Sequence, residues 1–463
     1  MRLLCVMLAL FLIGCGPAAD SQLQRIRQQG VLNVVTRNSA TTYYHGPFGP
    51  TGLEFDLAAG FARHLGVRLK IHTADTVAGI LHAIESGDAD LAAAGLTVTQ
   101  QRKAQVSFGP RYQYITAQLV YRTGTPLPDG LAQLRGNLEV VADSSHAEIL
   151  RSLRDEYSNL SFEENESLES EQLLQLVWEQ VIDYTVADSN EVAYTRRFYP
   201  ELRVAFDLSP ASPLAWAFPR GEDRSLISEA ETYFGELRAS GDLDQLLEHY
   251  YGYVSDFDYV GTRRYMRHIE QRLPRYERWF KQAGKHVGED WRLLAAMGYQ
   301  ESHWDPDAVS PTGVRGIMML TRRTMEHIGM DADRSDARSS IEGGARYLAT
   351  VKERVPATIT EPDRTWMSLA AYNVGFGHLQ DARELAREAG ANPDRWVDVK
   401  KFLPLLSRKK YHRNTRYGYA RGIEPVRYVE NVRTYYDILV WTTERDVAPV
   451  PVSPGLSVDS PVL

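Results

Sequence analysis

A change of periodicity near residue 255 divides the 463-residue chain into two unlike halves. Before it, short β-rich runs alternate with helical patterns. After it the β-alternation stops and apolar residues recur at helical spacing. The two patterns call for two cores of different class, and a chain of this length has room for them at about 150 residues per domain. With 43% hydrophobic and 24% charged residues, composition excludes a largely disordered chain and a multi-span membrane protein. Basic residues number 52 against 60 acidic ones, a net charge of −8, which argues against nucleic acid as a partner. The two cysteines, Cys5 and Cys15, both precede residue 16, so no disulfide framework and no cysteine-based metal site or nucleophile is expected in the folded body.

Residues 1–14 carry one positive charge, Arg2, followed by an apolar run too short for a comfortable membrane span. The run ends in Leu12-Ile13-Gly14-Cys15, which resembles the bacterial lipobox. That resemblance implies lipidation at Cys15 and membrane attachment through several acyl chains, since one alone anchors weakly. Gly16 follows, without the aspartate that resembles an inner-membrane retention signal, so the expected location is the periplasmic face of the outer membrane. Residues 15–24 read as a tether.

Residues 25–255 read as α/β. Val31–Thr36, Val67–Ile71, Asp90–Ala94, Leu138–Ala142, Val181–Ala187 and Leu214–Phe218 are strand candidates; Leu53–Leu65, Val77–Glu85, His146–Tyr157 and Ser170–Gln180 are helical. Such alternation predicts mostly parallel sheets in two lobes, with a cleft where strand ends meet. The stretches Gly52–Ala58, Gly95–Arg102 with Val106-Ser107-Phe108, and Asp183–Asp188 resemble the family 3 bacterial solute-binding proteins. In amino-acid-binding members the arginine matching Arg102 holds a carboxylate and the acid matching Asp188 holds an ammonium. A guanidinium fork suits the first task. Asp188 also sits where a helix N-cap would stand, before Ser189-Asn190-Glu191. Asp143-Ser144-Ser145 lacks the glycine-rich character common at the equivalent loop, which argues against a free amino acid; a muropeptide or cell-wall peptide is the expected ligand.

Residues 262–445 read as all-α. Helices are expected at Tyr265–Phe280, Trp291–Glu301, Ile341–Arg354, Thr365–Tyr372 and Val426–Val440, and residues 446–463 read as a disordered tail. Glu301 lies three, four and seven residues after Gly298, Met297 and Leu294, which puts a carboxyl on an apolar helix face. Such a group is costly unless paired or protonated, and desolvation raises its pKa toward that of a general acid at neutral pH. A buried structural glutamate fits the helix geometry equally well. Asp305-Pro306 is expected to end this helix.

Glu301-Ser302, Gly313–Leu320, Ala370–Gly375 and Tyr428–Val432, in that order, resemble the family 1 lytic transglycosylases, which have a goose-type lysozyme-like fold. Together with the first half and the lipobox, they narrow the resemblance to the membrane-bound F subgroup. Met319 stands where the family has glutamine, which removes a polar sugar contact. The resemblance implies cleavage of the β-1,4 bond between N-acetylmuramic acid and N-acetylglucosamine without water, giving a 1,6-anhydromuramoyl end. Glu301 would serve as acid and then base, with Ser302, Met318, Tyr372, Asn373 and Tyr428 against the substrate. A catalytically inactive receptor for wall fragments and a hydrolytic muramidase of the same fold remain the alternatives.

Lys400–Arg416 holds seven basic residues and no acid, which suits either a groove edge facing peptide carboxylates or a solvated loop. No metal-ligand spacing, phosphate loop or nucleophile elbow is present in the sequence, and no cofactor is expected.

Overall fold

The computed structural model describes residues 20–46, 49–128, 130–252, 259–310, 314–331, 333, 335–445 and 458–459. Cys15, the leader and Gly313 lie outside the described residues, as does the expected tail apart from Val458–Asp459. Among the described residues no helix is long and apolar enough to cross a membrane.

The first half is two-lobed. One sheet runs in the order Arg68–Thr73, Val31–Thr36, Leu91–Ala92, Ser212–Phe218, Ser107–Ile115, with Val458–Asp459 on the outer edge of Arg68–Thr73. The other runs Leu202–Asp207, Ala117–Arg122, Tyr184–Asp188, Leu138–Val141, Glu163–Asn165. Both are mixed, which corrects the expectation of mostly parallel pairing. The βα units pair parallel, as at Val34↔Ile71 and Val34↔Leu91. The strands that cross between lobes do not: Ala217 faces Phe108 and Val186 faces Leu119 in antiparallel register. Only Thr116 separates Ser107–Ile115 in one sheet from Ala117–Arg122 in the other, and Leu202–Asp207 leads back to Ser212–Phe218. Gly109-Pro110 interrupts the first crossing strand and hides it from pattern reading.

The expected tether is shorter at its C-terminal end. Gln22–Gln29 is a helix started by a Ser21–Gln24 capping box, and it docks by Ile26 and by Leu23 N–H on Ser225 Oγ at 3.2 Å.

In the second half, Tyr265–Phe280 is two helices rather than one. Pro274, in the 3₁₀ turn Leu273–Arg275, has no N–H to continue the ladder and separates Tyr259–Gln271 from Glu277–Val287. Trp291–Ser302 starts on Asp290, whose carboxylate accepts from Arg292 N–H at 2.9 Å. It stops at His303, in the left-handed region at φ 53°, so Asp305-Pro306 is not what ends it. The helices Glu277–Val287, Ala337–Arg354 and Ile423–Arg445 pack against it, Asp363–Val374 packs on the last two, and Phe376–Glu388 and Trp396–Phe402 complete the bundle.

One apolar core spans the halves. It runs from Leu173, Val177 and Phe198 in the second lobe to Leu294, Met297 and Val432 in the bundle. Trp441 stacks on Phe198 at 5.1 Å, and Arg197 Nη1 reaches Asp437 at 2.7 Å. The first lobe is tied to the same long helix by Arg433, which donates to the carbonyls of Glu248 (3.1 Å) and His249 (2.8 Å).

Candidate active site

Glu301 occupies the last turn of Trp291–Ser302, over a face closed by Leu294, Met297 and Gly298. Gly298 allows a close approach here. A Cβ would lie 3.0 Å from Phe280 Cζ and 3.2 Å from both Ile317 Cγ2 and Met318 Sδ. The sharp helix end is held by Trp304, fully buried at φ 55°, whose indole N–H donates to Ala295 O at 2.8 Å. Glu301 therefore stands at a rim, keeping some solvent access while protein surrounds its carboxyl. Desolvation pushes that carboxyl up to about 7, and hydrogen bonding by Tyr428 pulls it partly back. Among the described residues no second carboxylate acts on it.

The segment Arg315–Leu320 forms the wall beneath Glu301 and is clamped by three side chains. Ser302 Oγ shares its one proton between Ile317 O at 2.9 Å and Gly298 O at 3.1 Å. Met318 N–H donates to the fully buried Ser340 Oγ at 3.0 Å, and Tyr372 OH donates to Met318 O at 3.2 Å. The hydroxyl of Ser302 is thus engaged with backbone, and its effect on Glu301 passes through the wall. Met318 is wholly buried against Gly298 and Gly344, an apolar floor.

Tyr372 and Asn373 end the helix Asp363–Val374, where Gly375 takes φ 91°. The Tyr372 ring lies parallel to that of Tyr428, centroids 6.4 Å apart, and tilts against Tyr347 at 5.1 Å. Asn373 is exposed, with its amide held by no protein group among the described residues. Tyr428 comes from the first turns of Ile423–Arg445. Its hydroxyl is buried and makes no well-formed hydrogen bond, and Glu301 is the carboxyl that acts on it. Burial first, then the Glu301 charge, holds both tyrosines well above the usual phenol range, so they stay protonated as donors. The structure brings Glu301, Ser302, Met318, Tyr372 and Tyr428 to one place from four chain segments, with Asn373 exposed next to Tyr372 in the chain.

In the first half, Arg102 and Asp188 line one small interlobe cavity, together with Arg37 and Glu191. Arg102 is buried and donates to Thr97 O (3.2 Å) and across the cleft to Asp143 O (3.3 Å). Asp188 accepts from His146 Nε2 at 2.8 Å and begins the helix Ser189–Thr195 in a capping box with Glu191. Arg37, which sequence reasoning passed over, closes the cleft. From the first lobe it reaches Glu169 (3.0 Å) and Glu191 (3.3 Å) of the second. Also missed is Glu54, buried and accepting from Gly95 N–H and Trp216 Nε1, each at 2.8 Å, and from Tyr112 OH. Its place beside Leu53 and Leu57, on the buried helix face, was the available signal. Ser340 and Tyr347 carried none. Among the described residues no cluster of His, Cys, Asp and Glu could hold a metal ion.

Two family models match: bacterial extracellular solute-binding proteins, family 3, over residues 32–253, and the transglycosylase SLT domain over residues 278–394. The membrane-bound lytic murein transglycosylase F 1 of Alkalilimnicola ehrlichii is 53% identical over 442 residues, covering 95% of this chain and 89% of that protein. The chain belongs to the membrane-bound lytic murein transglycosylase F family. The family member from Ectopseudomonas mendocina is 48% identical over 445 residues, covering 96% of this chain and 91% of its own. Among solved structures, an ancestral arginine-binding protein bound to arginine is 22% identical with a TM-score of 0.44, covering 48% of this chain and 98% of that one. The family's architecture is the one described above, a two-lobed α/β solute-binding domain followed by a helical lysozyme-like domain. The SLT match ends before Tyr428, so that side chain enters the site from beyond the matched segment.

Proposed function

We propose that this member of the membrane-bound lytic murein transglycosylase F family cleaves the β-1,4 bond between N-acetylmuramic acid and N-acetylglucosamine in peptidoglycan without water. The observation that carries the reading is Glu301, a rim carboxyl pushed up to about 7 by burial, with no second carboxylate acting on it among the described residues. A group with that pKa is partly protonated at neutral pH and can act in both directions. In the first step Glu301 gives its proton to the glycosidic oxygen, the C1–O bond breaks, and the muramoyl acetamido oxygen stabilises the charge at C1. In the second, the Glu301 carboxylate takes the C6 hydroxyl proton as O6 bonds to C1. No water is consumed and Glu301 ends protonated. Most glycosidases need a second acid to activate water or form a glycosyl-enzyme; here the internal hydroxyl takes that place.

Tyr428 would donate to the Glu301 carboxylate or the acetamido oxygen. Tyr372 and Asn373 would line the sugar site, with Met318 beneath it and Ser302 positioning the wall. The first half would bind a muropeptide or wall peptide in the interlobe cleft, with Arg102 and Asp188 as polar contacts and a regulatory or positioning role. Lipidation at Cys15 would hold the protein at the periplasmic face of the outer membrane, in keeping with the lipobox and with the relatives' membrane-bound name.

Digestion of purified sacculi tests the enzyme reading. Soluble muropeptides lighter by one water than hydrolysis products are expected from the wild type and none from Glu301→Gln. Products with the added water, or equal release by both proteins, would reject it.

A further inference from the structure

The stretch between Asp398 and Glu424 contains no acid and eight bases in a chain of net charge −8. Three of those bases are paired: Lys400 with Glu248 at 2.8 Å, Lys401 with Asp398 at 3.3 Å, and Arg421 with Glu424 at 3.4 Å. The other five, Arg408, Lys409, Lys410, Arg413 and Arg416, are exposed and make no ion pair among the described residues. Tyr417 and Tyr419 follow Arg416 in the chain at 50% and 58% exposure, and the Arg416 guanidinium lies 5.5 Å from the Tyr417 ring centroid.

The strip is built rather than loose. The buried Asp381 carboxylate accepts from the backbone N–H of Arg416 (3.1 Å) and Tyr417 (2.9 Å). The Tyr417 ring lies on Gly377, where any Cβ would come within 2.5 Å of it. Gly422 is pressed on Leu403 O in the same way. Backbone anchors at both ends leave the cationic side chains outward. The strip also flanks the site. Gly377 opens the helix that follows Asn373 across the break at Gly375, and Ile423 stands five residues before Tyr428 on one helix, an axial rise of about 7.5 Å.

We propose that these five cations, with the rings of Tyr417 and Tyr419, are an accessory contact for the carboxylate-bearing peptides that hang from the glycan strand, so that the enzyme prefers peptide-bearing strands to bare ones. The inference rests on the peptidoglycan reading above and adds a determinant of substrate choice. Several exposed guanidinium and ammonium groups attract a polyanion collectively and lose that attraction in salt.

The test compares native glycan strands with the same strands stripped of peptide by an amidase. It uses the full-length protein and a variant carrying Arg408→Ala, Lys409→Ala, Lys410→Ala, Arg413→Ala and Arg416→Ala. For the wild type, KM for native strands is expected to be roughly tenfold lower than for stripped strands at low salt. In the variant the two values converge to within about twofold. Cosedimentation in a Glu301→Gln background reads the same ratio as affinity, so it still reports if cleavage itself fails. A wild type that does not distinguish the two substrates overturns the proposal, as does a variant that distinguishes them as well as the wild type. Loss of binding to phosphatidylglycerol vesicles with strand discrimination intact would overturn it too, by assigning the strip to a membrane surface.

Discussion

The hydroxyl of Tyr428 stands against the Glu301 carboxyl, buried and without a well-formed hydrogen bond among the described residues. An unsatisfied buried hydroxyl is a standing cost that folding alone would remove. Its retention beside a desolvated acid makes sense if the charge it serves appears only during turnover.

Replacing Tyr428 by Phe keeps the ring packing on Tyr372 and removes that donor. Turnover is expected to fall about 10- to 100-fold. Because the nearby hydroxyl favours the charged form of Glu301, its loss raises the acid's pKa further, and the basic limb of kcat/KM moves to higher pH. A pH–rate profile with an unmoved limb would detach Tyr428 from Glu301.

Glu301→Gln should abolish anhydro product and also stabilise the fold in a pH-dependent way. The carboxyl's pKa rises from the ordinary range to about 7 on folding, so the unfolded chain ionises first. Wild-type stability is therefore lost progressively as pH rises from about 4.5 to about 7. The glutamine variant escapes that loss, with a gain of about 1–3 kcal/mol at pH 8 and little at pH 4. Thermal melts at the two pH values check the sign.

Ser302→Ala leaves Ile317 O without its side-chain donor beneath the acid. Urea unfolding should report a loss of about 1–2 kcal/mol. Gly298→Ala, which drives a methyl toward Phe280, Ile317 and Met318, should lower kcat even where the protein still folds, since the wall must shift by tenths of an ångström.

Arg37→Ala strands Glu169 and Glu191 at the closed cleft. The expected loss is about 3–5 kcal/mol near neutral pH. It should shrink as pH falls, because burial already raises the Glu191 carboxyl's pKa and loss of the guanidinium raises it further. Melting curves across pH measure it, and small-angle scattering should show the lobes apart.

Much of the site could be read in one dimension because its chemistry is local. The spacing of Leu294, Met297, Gly298 and Glu301 put an acid on an apolar face, and the structure desolvates it as that spacing implies. Leu53–Leu65 and Val77–Glu85 match their helices because amphipathic periodicity and caps act within a turn or two. The antiparallel crossing strands were not legible, since pairing across two lobes leaves no local periodicity once Gly109-Pro110 interrupts it.

The order of residues alone determined that two halves of different class follow one another, that one acid lies on an apolar helix face, and which family motifs accompany it; each follows from spacing along one element or from a short motif. Tertiary structure alone decided that Ser302 and Ser340 clamp the wall and that Arg37 shuts the interlobe cleft. It alone brought Tyr428 to Glu301 from a helix beginning 122 residues later (Ile423). Those outcomes depend on desolvation and close packing between segments distant in sequence, and both are properties of the assembled core.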